Sequence, residues 1–136
     1  MRPCYHFFSI VLLAAAACGP KTIYTNDDVA RLPKRADIMW SQAQAMDPQF
    51  KKLGAATYSD EDYAGFATAA GRLKVTTPRL REEAFSKGAE WNQIVDQLAT
   101  HAADLDGAAT AKDAVKAKAA LAAIKATCKT CHSKFR

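Results

Sequence analysis

AEWNQIVDQLATHAADLDG, residues 89–107, is the most regular stretch of the chain. Trp91, Ile94, Val95, Leu98, Ala102 and Leu105 fall on one stripe of a helix, because side chains three and four apart share a face. Gly107 stands where a left-handed terminating residue belongs, so the spacing predicts a helix ending there. A single apolar stripe has to be covered by other elements, and the flanking sequence supplies them.

Downstream, Thr110 with Asp113 three positions on is a capping pattern. It predicts a last helix with Ala114, Ala117, Leu121, Ile124 and Cys128 inward, running almost to the end of the chain. Upstream, Ser59 with Asp62 opens a helix with Tyr63, Phe66, Ala67, Ala70 and Leu73 on one face, ending near Lys74. Val75-Thr76-Thr77-Pro78 then reads as a β-branched connection, followed by the charged piece Arg79 to Glu83. A first helix begins near Asn26-Asp27-Asp28 or at Pro33 and runs to about Leu53. Arg35, Met39, Ala43, Met46, Phe50 and Leu53 mark its register, and Pro48 should kink it. Four helices on short links predict an all-α, antiparallel up-down bundle spanning residues 27–136.

Composition agrees. The chain has 136 residues, enough for one core and too few for two. Its 49% hydrophobic and 24% charged content excludes disorder by composition. The 29 alanines favour helices over strands. Net charge is +5, but the basic residues are scattered among acids, which speaks against a nucleic-acid partner.

The first 17 residues read as a leader: Arg2 is its positive start, Phe7 to Ala17 its apolar run, and Ala14 to Ala17 its small-residue cleavage site. That run is too short to span a bilayer as a helix. Leu13-Ala-Ala-Ala-Ala-Cys18-Gly19 also resembles a bacterial lipoprotein processing site, which makes Cys18 a candidate lipidated first residue. Such sites usually carry Leu three positions before the Cys, where this chain has Ala15, so cleavage by a general signal peptidase is the alternative. The chain is expected in the periplasm, tethered to a membrane in the lipidated case, with residues 18–26 as a short linker.

CKTCH puts Cys128, Cys131 and His132 at i, i+3 and i+4, within one sector of a helix surface. Two thiols one turn apart match the two vinyl groups on a porphyrin edge, and the adjacent imidazole reaches the iron. The pattern is the attachment signature of one covalent c-type haem. Structural zinc wants four ligands, and only the distant His101 and Cys18 would complete the set. A thioredoxin-like dithiol wants the start of a helix among strands. A disulfide between Cys128 and Cys131 would restrict almost no chain and leave His132 unexplained.

With CKTCH near the end of a four-helix chain, residues 27–136 resemble the class II cytochromes c, the family of cytochrome c′ and its low-spin relatives. The likeness also rests on Arg35-Ala-Asp-Ile-Met39, on Pro48 and on Glu83-Ala-Phe85-Ser-Lys87. The resemblance implies thioether bonds at Cys128 and Cys131, His132 as proximal iron ligand and Met39 facing the other side of the haem. It places Arg35 near a propionate, Phe135 near the haem edge and Arg136 at a basic position flanking the proximal His. By its residue type alone, Met39 is an ordinary core filler and Arg35 a solvated charge. Trp91 belongs to the core stripe, and Trp40 shields the haem or lines a subunit contact. The family also leads one to expect a homodimer.

Two functions follow. With Met39 as sixth ligand, the protein carries single electrons to and from redox partner proteins. With a five-coordinate iron under apolar side chains, it binds small gases such as nitric oxide. An enzyme is not expected, since no general acid or base is paired near the motif and His101 is expected to face solvent.

Overall fold

A computed structural model describes residues 23–136. Expectations that fall on residues 1–22, the leader and Cys18 among them, lie outside the described residues.

Caps set where the chain turns helical. The Thr25 hydroxyl accepts from the Asp28 amide while the Asp28 carboxylate accepts from the Thr25 amide, opening the short helix α1 (Asn26–Val29). α2 (Arg35–Phe50) follows and passes into a 3-10 turn at Lys51–Gly54. Of the two starts expected for the first helix, Pro33 falls two residues before α2, and Asn26-Asp27-Asp28 opens a separate short helix. Leu32 precedes Pro33, whose ring disfavours helical backbone at the residue before it. Pro48 falls in the last turn of α2, where the helix continues past it and then tightens to 3-10 geometry.

Ser59 and Asp62 form the expected capping box of α3 (Asp60–Thr76). α3 runs two residues beyond Lys74, with the Thr76 hydroxyl donating to the Arg72 carbonyl at 2.8 Å. The connection expected at Val75 to Pro78 shrinks to Thr77, because Pro78 opens a second 3-10 turn, Pro78–Arg81.

α4 (Ala89–Thr110) buries the whole predicted stripe and also Ala108 and Ala109. Gly107 does not end it. The left-handed position belongs to Lys112, at φ 51°. There the Asp113 amide donates to the Ala108 carbonyl at 2.9 Å and the Lys112 amide to the Ala109 carbonyl at 3.2 Å, a Schellman pair. Burying two more alanines carries the helix past the glycine. Thr110 is likewise not a cap: its hydroxyl donates back to the Asp106 carbonyl. Asp113 caps α5 (Ala114–Phe135) by accepting from the Lys116 amide at 3.0 Å.

The four long helices α2 to α5 form the bundle, and no strand occurs among the described residues. α4 packs on both α3 and α5, and α2 packs on α3. One core cluster gathers Met46, Phe66, Leu73, Leu105, Leu121 and Ile124. A second gathers Val29, Leu32, Ile38, Leu80, Trp91 and Val95. Arg72 donates to the Tyr24 carbonyl and to Asn26 Oδ1, both at 2.6 Å, so residues expected in a linker are held against α3. α2 and α5 touch sparingly, and the seam between them opens into the site.

Candidate haem site

The last two turns of α5 carry Cys128, Cys131 and His132. Both thiols are half-buried and the imidazole is exposed. Cys128 packs against the first core cluster, whereas Cys131 and Phe135 pack against the second, so the motif straddles the junction of the two. Across the seam, α2 presents Met39, Ala43, Met46 and Phe50. These residues, read from the sequence as a core stripe, line a cavity of about 200 Å³ together with Cys128, Cys131 and His132. A more open cleft of about 720 Å³ adjoins it and shares Met39, Ala43, Cys131 and His132.

Burial pushes the Cys128 thiol up to about 11, with the neighbouring Cys131 and Asp47 acting the same way. Burial also raises Cys131, against the pull of Lys87 and Arg35. Both are therefore neutral thiols at pH 7, the opposite of the acidic thiol that a dithiol redox motif needs. Among the described residues, no three His, Cys, Asp or Glu side chains converge in a way that could hold a metal ion.

Trp91 organises the open cleft. Its Nε1 donates to the Leu80 carbonyl at 2.7 Å, its ring meets Phe135 edge-on at 5.3 Å, and the Arg35 guanidinium lies 5.6 Å over its face. Arg35 Nη1 also donates to the Phe85 carbonyl at 3.1 Å. Lys87 Nζ donates to the Phe135 carbonyl, which fixes the segment before α4 against the end of α5. Gly88, at φ 103°, makes the turn into α4 directly after Lys87.

Arg35, Met39, Phe135 and Arg136 all come to the cleft beside Cys131 and His132, and Trp40 lines it too. His101 is not at the site; it is half-buried elsewhere on α4, its Nδ1 3.7 Å from the Asp104 carboxylate. Sequence reasoning missed Gln42, which is buried on the cavity wall and donates to the Thr76 hydroxyl at 3.0 Å. It also gave Lys87 and Leu80 no part in the site. The periodicity of α2 was a usable signal for Gln42, one turn beyond Met39, whereas Leu80 and Lys87 sit on a 3-10 turn and a loop that carry no period.

The donor set fits a haem. The inner cavity is walled mainly by apolar side chains, as a porphyrin face requires, with Gln42, Asp47 and Thr127 as the polar exceptions beside the motif. Arg35, Lys87 and Arg136 line the open cleft with no Asp or Glu side chain among its walls, which would compensate two propionates. Two thiols and an imidazole stand at the boundary of the two spaces.

Fold and site together define a helical bundle in which a mainly apolar cavity and a basic cleft meet at a Cys-x-x-Cys-His motif. The chain belongs to the cytochrome c′ family, whose model matches residues 43–136, and so to the haem-binding cytochromes. The matched segment contains Cys128, Cys131, His132, Phe135 and Arg136, and it begins after Arg35 and Met39. No curated protein and no solved structure matches the chain.

Proposed function

We propose that the protein is an exported, mono-haem c-type cytochrome that carries single electrons. Cys128 and Cys131 hold the haem through two thioether links, and His132 is the proximal iron ligand. Met39 supplies the sixth ligand from α2. The haem, when bound, supplies a one-electron iron couple. The protein does the rest: a thioether ligand favours ferrous iron and raises the potential. The apolar wall excludes water, and Arg35, Lys87 and Arg136 balance the propionate charge. The observation that carries this reading is that Met39 and His132 line the same two spaces, from opposite sides of the α2–α5 seam.

A second reading, a five-coordinate iron that binds nitric oxide, draws on the apolar side chains, Leu73, Leu98 and Val95 among them, that line the inner cavity with His132. Absorption spectra of the oxidised and reduced holoprotein separate the two. Electron carriage predicts a low-spin spectrum with a thioether-to-iron charge-transfer band that Met39→Ala abolishes. A high-spin spectrum that shifts with nitric oxide and ignores Met39→Ala overturns Met39 ligation.

A further inference from the structure

α5 contains five lysines and no acidic residue. At 100° per residue, Lys118, Lys125, Lys129 and His132 fall within a sector of about 60°, a row roughly 21 Å long, and Arg136 follows directly after the helix end. All five are exposed. Lys116 and Lys134 lie about 160° away on the same helix, and each is ion-paired, to Asp113 and Glu90 respectively. Among the described residues, no ion pair engages Lys118, Lys125, Lys129 or Arg136. The chain thus neutralises the lysines that face away from the row and leaves those on it uncompensated.

The row also has a definite place. Cys128 lies about 40° from the edge of the row and Cys131 about 100° from it, and His132 lies within it. Lys125 Nζ sits 5.8 Å over the ring of Phe50, which lines the inner cavity. Lys118 Nζ donates to the Ala55 carbonyl, so the row reaches the 3-10 turn that follows α2. A body docked along it would lie against the side of the molecule where the motif opens.

We propose that this row is the docking surface for an acidic redox protein, a partner whose carboxylates face Lys118, Lys125, Lys129 and Arg136 and whose redox centre is thereby brought to the CKTCH end of α5. The proposal rests on the electron-carrier reading. A protein is favoured over an anionic membrane because the row carries no large apolar side chain to insert between lipids. Steering by such a row acts on the association rate and fades once the Debye length falls below the spacing of the charges.

The test uses the holoprotein and a reduced acidic plant-type ferredoxin as probe. Second-order electron-transfer rates are measured at low and high salt for three proteins: the wild type, K118E/K125E/K129E, and the charge-matched K74E/K112E/K116E off the row. The row variant should lose about tenfold or more in rate at low salt, together with most of the salt dependence, while the control loses far less. Equal losses in both variants, or none in either, overturn the proposal. So does a row variant that keeps its ferredoxin rate while losing wild-type binding to phosphatidylserine vesicles. Reduction by neutral lumiflavin semiquinone, which needs no charged surface, should be equal in all three proteins. Failure of that reaction in the wild type sinks electron carriage, and with it the proposal, whereas failure confined to the row comparison sinks the docking surface alone.

Discussion

Trp91 holds three parts of the site at once: the Leu80 carbonyl through its N–H, Phe135 through its edge and Arg35 through its face. Trp91→Phe keeps an aromatic body but leaves a buried carbonyl without its donor, a loss of about 1–3 kcal/mol. Urea unfolding should show this as a lower midpoint with an unchanged slope. Under the proposed electron-carrier function, Met39→Ala in the holoprotein should lower the reduction potential measured by spectroelectrochemistry, since a thioether ligand favours the reduced iron. The grouping of Cys128, Cys131 and His132 was legible because spacing alone fixes the relation of side chains on a helix, and all three line one cavity. The joint role of Trp91 was not legible, because Leu80, Phe135 and Arg35 lie on three other elements and no local period connects them.

At the scale of elements, capping patterns were readable where side chain and amide sit three apart, as at Ser59, and misread where tertiary burial decided the boundary, as at Gly107. Ser59→Ala removes the hydroxyl that accepts from the Asp62 amide and should cost about 1 kcal/mol in chemical denaturation. Lys112→Gly should do the reverse. A side chain at φ 51° is strained where glycine is not, so the substitution should stabilise by about 1 kcal/mol. The stripe of α2 was found correctly in register, and Met39, Ala43, Met46 and Phe50 from it line the inner cavity of the α2–α5 seam. Periodicity says which residues share a face and is silent on whether that face meets side chains or space.

Across the whole molecule, three carboxylates tie helix starts to acid stability. Asp28 is held below the usual aspartate range by the Thr25 amide, Asp62 by Lys52 and then the Ser59 amide, and Asp113 by the Lys116 amide. Each is more acidic folded than unfolded, so its stabilisation is present above the ordinary carboxylate range of about 4 and is lost as pH falls through the folded values. Thermal melts should drop as pH is lowered below about 4, and the triple Asn variant at these positions should flatten that fall. The all-helical bundle was legible from amphipathic stripes. The loose α2–α5 seam was not, because a cofactor-sized gap leaves no mark in a sequence beyond the motif that fills it.

That motif is the centre of the account, and intact mass spectrometry of the denatured protein, produced in a host that attaches c-type haem, tests it most directly. The wild type should carry the added mass of one haem that survives denaturation and extraction, and the Cys128→Ser, Cys131→Ser double variant should not. A wild-type mass equal to the bare polypeptide would contradict the account.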